Sequence, residues 1–146
     1  MKYLIPLLLM LASPALACGP DTNCEVGDRF YRIAMPEGHD GTTPVPAVVW
    51  SHGYQGSARG VMRWGALRRM VSDAGLALIA TQGIGGSWDL PYGPSTYNST
   101  GEAEYTYFDN VVADATAKFA IDEDRIIASG FSAGGMMVWN LSLIHI

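Results

Sequence analysis

Ser132 lies between two glycines, Gly130 and Gly134, in the sequence Gly-Phe-Ser-Ala-Gly. The apolar run Arg125–Ser129 precedes this motif and predicts a buried parallel strand, and the apolar run Gly135–Leu141 predicts the start of a helix. A sharp turn between the strand and the helix would expose the serine hydroxyl at the edge of a sheet. Both glycines suit such a turn, because side chains would collide where the backbone doubles back. The pattern therefore predicts a nucleophilic serine.

A serine nucleophile needs a general base, and the base needs an acidic group that orients it. No Asp or Glu follows Ser132 in the sequence. His145 does follow it, but a continuing helix rises about 1.5 Å per residue and would place that ring roughly 20 Å away. Hydrogen-bond reach is about 3 Å. The sequence thus predicts the nucleophile without the acid and base that would activate it.

A second turn follows the predicted strand Ala47–Ser51 and begins His52-Gly53-Tyr54. Acyl transfer requires backbone N–H groups aimed at the oxygen that becomes negative. We assign one such oxyanion donor to the N–H of Tyr54, with Gln55 as the alternative, and the other to the N–H of Ala133.

His52 and Gly53 are expected to shape this turn. His52 precedes Ser132, whereas the catalytic histidine of strand–serine–helix hydrolases follows the serine and the acid. We therefore expect His52 to order the turn through hydrogen bonds and not to act as the base.

No metal or organic cofactor is predicted. Glu37, His39 and Asp40 share one loop, but two acids and one histidine make a weak metal site. The stretch Gly83–Gly86 is rich in glycine and follows a predicted strand. It is followed neither by a Lys-Ser/Thr pair nor by a helix start, so a nucleotide site is not predicted.

The N-terminus has the pattern of a cleavable export signal. Lys2 supplies a positive charge, and Tyr3–Leu11 is an apolar stretch too short to span a membrane. Ala15–Ala17 offers a small-x-small cleavage pattern. We therefore expect residues 1–17 to be a signal peptide and the mature chain to begin at Cys18, in the periplasm or outside the cell. A lipoprotein acylated at that cysteine is the alternative.

Export would place Cys18 and Cys24 in an oxidising compartment. The residues between them are turn formers that could close a small loop. The spacing excludes a Cys-x-x-Cys redox motif, and a zinc site lacks nearby partners. A structural disulfide is the favoured interpretation.

The alternation of strands and helices predicts a parallel α/β sheet with right-handed crossovers. The predicted strands are 29–35 (at an edge), 47–51, 76–81 and 125–129, and the predicted helices are 60–74 and 105–119. Residues 122–124 are expected to form a solvated acidic loop. Four residues of the long loop 83–103 would either bind substrate or pack the loop onto the sheet, namely the aromatic residues Trp88, Tyr92 and Tyr97 and the neighbouring Pro91.

Charge and hydropathy exclude two classes of partner. The formal net charge of -5 argues against nucleic-acid binding, which calls for a basic patch. No apolar run beyond the N-terminus is long enough to span a membrane.

Several segments resemble secreted polyhydroxybutyrate depolymerase-like and feruloyl esterase-like α/β-hydrolases. The resembling segments are 18–20, 50–57, 60–63, 85–88 and 130–140. The resemblance implies an α/β-hydrolase fold, with Ser132 in the nucleophile elbow. It also implies hydrolysis of a carboxylic ester, such as a polyester or a plant-polymer ester, through an acyl-enzyme at that serine.

Members of that family continue past the elbow helix through strands that bring the acid and then the histidine. We therefore expect residues 18–140 to be the N-terminal part of an α/β-hydrolase domain whose parallel sheet is truncated after the elbow helix. Residues 141–146 resemble a read-through tail and are expected to be non-native. As such a fragment, the chain is expected to be inactive. A serine peptidase of the same fold and a non-catalytic surface-binding module are the alternatives to a serine esterase.

Overall fold

A five-stranded mixed sheet forms the centre of the protein, in a computed structural model that describes residues 18–93 and 98–144. The strands are β1 (Cys24–Val26), β2 (Arg29–Ala34), β3 (Val45–Ser51), β4 (Ala77–Thr81) and β5 (Ile121–Gly130), in the order β1-β2-β4-β3-β5. The helices are α1 (Ala58–Arg63), α2 (Gly65–Asp73), α3 (Glu102–Lys118) and α4 (Ala133–Ile144). Strands β3, β4 and β5 are parallel, whereas β2 is antiparallel to both β1 and β4. The predicted parallel arrangement therefore holds only for the three strands nearest the candidate site.

The sheet is covered by helices on both faces. All five residues of β4 are buried, and alternate side chains point to opposite faces. Leu78 joins a core formed with α1 and α2, whereas Ile79 joins a larger core formed with α3 and α4. This layering explains why β3 and β4 read as continuous apolar runs in the sequence. None of the helices in the described part of the chain combines the length and apolarity that crossing a bilayer requires.

The first strand and the first helix differ from the prediction. Strand β2 is not at the edge, because β1 pairs with it through a tight hairpin in which Gly27 has φ 62°. The predicted helix 60–74 is two helices, broken at Trp64, whose ψ of 84° is not helical. That residue packs edge-on against Trp50, with 6.1 Å between ring centroids.

Strand β5 corrects two predictions. Val45 pairs with Ile121, but Ala47 pairs with Ile126, so the acidic residues 122–124 form a bulge within the strand and not a loop before it. The strand is also not buried, and the side chain of Ile127 is 56% exposed. The reason is that β5 pairs only with β3 among the described residues and has no neighbour on its other side.

The N-terminal part of the described chain is tied to the sheet by a disulfide. Cys18 and Cys24 are bonded, as predicted, and Cys24 is the first residue of β1. Arg32 of β2 extends this attachment, because its side chain donates to Asn23 Oδ1 at 2.9 Å and to the Pro20 carbonyl at 3.3 Å. The predicted signal peptide, residues 1–17, lies outside the described residues.

Candidate active site

Ser132 occupies a strained turn between β5 and α4. Its φ of 54° lies in the left-handed region, which costs a non-glycine residue about 1–3 kcal/mol. The turn is closed by the N–H groups of Gly135 and Met136, which donate to the Ser132 carbonyl at 2.8 and 3.2 Å. The serine residue is exposed to solvent. This is the strand–turn–helix geometry that the sequence motif predicts.

The turn is pressed against the end of β3, and the two glycines make this approach possible. A Cβ placed on Gly134 would overlap the carbonyl of Ser51 and would lie 2.7 Å from the His52 carbonyl oxygen. A Cβ on Gly130 would lie 2.5 Å from the carbonyl group of Gly134. The Phe131 N–H donates to the Ser51 carbonyl at 3.2 Å, which joins the two strand ends directly. Backbone contact therefore fixes where Ser132 is presented.

His52 is buried in the turn that follows β3, and both of its ring nitrogens are engaged. The Gly83 N–H donates to Nε2 at 3.0 Å, so Nε2 is the acceptor and Nδ1 carries the proton that it donates to the Gly53 carbonyl at 2.8 Å. Burial lowers the pKa of His52, which favours this neutral form. Neither nitrogen is available to accept a proton from Ser132.

The loop after β4 also holds this turn. Trp88 Nε1 donates to the His52 carbonyl at 2.8 Å, and the two rings are in contact at a tilt of 36° with 4.9 Å between centroids. Trp88 is 1% exposed, so it packs the loop onto the sheet and does not form an exposed binding surface. Tyr92 is 73% exposed, and Tyr97 lies outside the described residues.

The predicted oxyanion donors differ in how far they are already engaged. The Gln55 N–H donates to the Gly86 carbonyl at 2.7 Å, which leaves it committed to the loop. Within residues 18–93 and 98–144, the N–H groups of Tyr54 and Ala133 donate to no backbone carbonyl. The turns that carry them adjoin, because a Cβ on Gly53 would lie 3.1 Å from the Phe131 ring. Tyr54 therefore stays the preferred donor over Gln55.

An apolar cleft of about 690 Å³ begins one helical turn from Ser132. Met136 and Trp139 of α4 form one wall, and Pro91 and Tyr92 of the loop after β4 form the other. The sequence predicts a possible binding role for the two loop residues but contains no local pattern that assigns Met136 and Trp139 to the same cleft.

A buried ion pair behind the two turns was not anticipated from the sequence. Glu104 is 0% exposed, and its Oε2 lies 2.7 Å from Nη1 of Arg29. The available signal is the register of α3: Glu104 precedes Phe108, Val111 and Ala115 on the stripe that faces the core. A charged residue on an apolar stripe indicates a buried partner.

The loop with the weak metal pattern is organised by hydrogen bonds. His39 donates from Nε2 to the Thr43 carbonyl at 2.7 Å and accepts at Nδ1 from the Gly41 N–H at 3.1 Å. Asp40 Oδ1 accepts from the N–H groups of Thr42 and Thr43, both at 2.7 Å. No group of three or more potential metal-ligating side chains is present in the described part of the chain.

The structure describes only part of the segment 141–146 that is expected to be a non-native tail. Helix α4 continues to Ile144, and Leu141, the first residue of the expected tail, is 8% exposed and packs in the core. His145 lies outside the described residues.

Comparison with known proteins identifies esterases among the similar chains. NocK, a proposed esterase of Nocardia uniformis subsp. tsuyamanensis, is 31% identical over 124 residues, which cover 80% of this chain and 34% of NocK. An S-formylglutathione hydrolase from Agrobacterium tumefaciens has a TM-score of 0.61 at 20% identity, over 80% of this chain and 48% of that enzyme. An acetyl xylan esterase from Aspergillus awamori has a TM-score of 0.63 at 21% identity, over 81% of this chain and 43% of that enzyme. No family model matches the chain.

The chain spans about a third of the length of NocK and less than half of the two solved structures. Two observations indicate the same fold. The solved structures match the chain, and Ser132 lies in a strand–turn–helix on a sheet that is covered by helices. The chain has the α/β-hydrolase fold.

Proposed function

We propose that the protein is an exported serine hydrolase of carboxylic esters that acts through an acyl-enzyme at Ser132. The observation that carries this proposal is the left-handed turn of Ser132 at the head of α4. A strained and exposed serine, clamped by backbone contacts beside a second turn, is the arrangement that nucleophilic acyl transfer requires. The similarity to NocK supports an ester as the substrate.

In this mechanism Ser132 Oγ attacks the carbonyl carbon of the ester while its proton passes to a general base. The carbonyl oxygen becomes negative and accepts hydrogen bonds from the N–H groups of Tyr54 and Ala133. The positive end of the α4 dipole adds to this stabilisation, because Ala133 is the first residue of that helix. The intermediate collapses with loss of the alcohol, which takes up the proton, and water then hydrolyses the acyl-enzyme.

The general base and its orienting acid are proposed to lie outside the described residues. Both ring nitrogens of His52 are engaged in its own turn, so it is not that base. In the α/β-hydrolase fold the acid and the catalytic histidine follow the serine along the chain. The matched region covers 34% of NocK and 48% of the S-formylglutathione hydrolase, so both of these proteins contain further residues outside it.

The apolar cleft beside Ser132 supports an ester with an apolar or aromatic part. Its walls include Trp139 and Tyr92, which are 67% and 73% exposed, and it begins at the first turn of α4. Polyhydroxyalkanoates, feruloyl esters and acetyl esters remain the proposed substrate types.

Export is supported by the disulfide between Cys18 and Cys24. Such bonds persist in oxidising compartments and are rare in the cytosol. We propose that the protein acts in the periplasm or outside the cell after removal of residues 1–17.

The proposal is tested by assaying the full-length gene product on p-nitrophenyl butyrate and on the matching p-nitroanilide. We expect turnover of the ester and not of the anilide, and loss of turnover in Ser132→Ala without a change in the circular dichroism spectrum. Ser72→Ala is the matched control, because that hydroxyl accepts from the Glu37 N–H far from the turn. Turnover of the anilide would favour the peptidase, and an inert wild-type protein would favour the binding module.

A further inference from the structure

The loop segment 82–89, which we call the anchoring segment, carries the turn of His52 and Tyr54. Three hydrogen bonds connect the two: Gly83 N–H to His52 Nε2 at 3.0 Å, Gln55 N–H to the Gly86 carbonyl at 2.7 Å, and Trp88 Nε1 to the His52 carbonyl at 2.8 Å. The position of the turn therefore depends on the position of this segment.

Both ends of the anchoring segment are held by one buried ion pair. At the first end, Arg29 donates from Nε and Nη2 to the Gln82 carbonyl at 3.2 and 2.6 Å. At the other end, Glu104 Oε1 accepts from the Asp89 N–H at 2.8 Å. The two side chains then meet, with Arg29 Nη1 donating to Glu104 Oε2 at 2.7 Å. The ion pair therefore links the first residue of the anchoring segment to its last residue.

The ion pair is fixed by its surroundings. The guanidinium carbon of Arg29 lies 3.5 Å from the centroid of the Tyr107 ring. The Tyr107 hydroxyl donates to the Phe30 carbonyl at 2.7 Å and accepts from the Gln82 N–H at 2.9 Å. Burial raises the pKa of Tyr107 to about 12, so the phenol keeps its proton at neutral pH. Arg29 and Glu104 therefore cannot shift without moving backbone that they bind.

A buried ion pair is a weak reason for stability, because apolar residues of similar volume often replace one without loss. A positional reason fits this pair better. An oxyanion donor helps only if its N–H points at the place where the charge develops, and a misplacement of about 1 Å can cost 100-fold in rate.

We propose that Arg29 and Glu104 are positioning residues, which fix the Tyr54 N–H by holding both ends of the anchoring segment. The proposal rests on the proposed esterase function, since it assigns these residues to the same reaction. Disrupting the ion pair should therefore slow the chemical step and speed amide hydrogen exchange in the turn of His52 and Tyr54. It should leave substrate affinity nearly unchanged.

The test uses the full-length gene product with two changes at the pair. Glu104→Gln keeps the size of the side chain and an acceptor for the Asp89 N–H but removes the charge. The double variant Arg29→Met with Glu104→Leu removes both charges and leaves no buried ion alone, so it keeps the protein folded if the single change does not. For either variant we expect kcat to fall about 10- to 100-fold with KM within about twofold.

Amide hydrogen exchange gives a second measurement that does not depend on activity. In the variants, exchange should become at least about tenfold faster at the amides of Gln55 and Gly83, while the amides of α4 keep their wild-type rates. Tyr31→Phe is the matched control, because it removes a partly buried hydrogen bond of 2.8 Å to Asp114, which is not part of the anchoring segment. It should leave kcat and the exchange of Gln55 unchanged.

Two results would overturn the proposal: an unchanged kcat in the folded double variant, or an increase in exchange that is the same in α4 as in the turn. A wild-type protein that hydrolyses no ester would overturn the proposed function instead. In that case the exchange measurement still decides whether the pair holds the turn.

Discussion

At the residue scale, the space around each glycine of the turn decides which substitutions the site accepts. Gly134→Ala would drive a methyl group into the carbonyls of Ser51 and His52, both of which belong to β3 or its end. Because backbone must move to relieve this overlap, we expect the free energy of unfolding to fall by about 1–3 kcal/mol. Urea denaturation monitored by circular dichroism measures the change, and esterase activity should fall with it.

Gly135 is the matched control, one residue further along α4. The nearest atom to a Cβ there is the Gly130 carbonyl oxygen at 3.8 Å, an ordinary contact distance. Alanine in a helix is favoured over glycine by about 0.5–1 kcal/mol, so Gly135→Ala should be neutral or stabilising. Equal losses in the two variants would show that the elbow is not packed as described.

The protonation of His52 links the turn to pH. Burial lowers the pKa of the folded state below the value of about 6.5 expected in the unfolded chain. The stability that depends on the neutral ring is therefore complete above pH 6.5 and is lost as the pH falls from there through the folded-state pKa. Between pH 7.5 and 5, the wild-type protein should lose more unfolding free energy than His52→Gln, which does not titrate. An identical loss in both, measured by urea denaturation, would contradict a lowered pKa of His52 in the folded protein.

Sequence patterns were sufficient for the local geometry of Ser132, because a motif of five consecutive residues determines it. They were insufficient for Arg29 and Glu104, whose 2.7 Å contact joins two elements far apart in the chain. The position of Glu104 on the apolar stripe of α3 signals burial, but no local pattern identifies its partner.

At the element scale, the same contrast separates the central strands from the outer ones. Strands β3 and β4 were predicted well, because strands buried on both faces read as apolar runs of characteristic length. Strand β1 has three residues, which is too short for an alternating pattern. The bulge of β5 is defined by the register between β5 and β3. This register cannot be predicted from the sequence of either strand alone.

The disulfide makes an element-scale prediction. The bond between Cys18 and Cys24 spans six positions of sequence. Closing so small a loop lowers the conformational entropy of the unfolded chain, which stabilises the folded state by about 2 kcal/mol. Replacing both cysteines by serine should lower the melting temperature in oxidising buffer while turnover stays the same, because neither residue contacts the turn of Ser132. A reducing agent should reproduce the effect in the wild-type protein and have no effect on the variant. An unchanged melting temperature in oxidising buffer would count against a stabilising role.

At the scale of the whole molecule, the described chain presents one open side. Strand β5 has a neighbour only at β3, and Ile127 on it is 56% exposed. An apolar cleft of about 410 Å³, lined by Phe108, Ile126 and Val138, also borders β5, on the face of the sheet opposite to Ile127. Exposed strand edges with apolar side chains promote association between chains.

The 146-residue chain should therefore self-associate as its concentration rises, and Ile127→Lys should reduce this association. Met70→Lys is the matched control, because Met70 is 62% exposed but lies on α2, away from the sheet edge. Sedimentation velocity over a range of concentrations measures the effect. A reduction of the same size in both variants would indicate that added charge, and not the edge of β5, is responsible.

The proposed site for acyl transfer consists of two turns at the ends of β3 and β5, a serine in a left-handed conformation, and a loop whose two ends contact one ion pair. The most direct test of Ser132 as the nucleophile is covalent labelling of the full-length gene product by a fluorophosphonate probe, followed by mass spectrometry of the peptides. We expect one modification, at Ser132, that is absent from Ser132→Ala and unaffected in Ser72→Ala. A folded protein that remains unlabelled, or that is labelled at another residue, would contradict it.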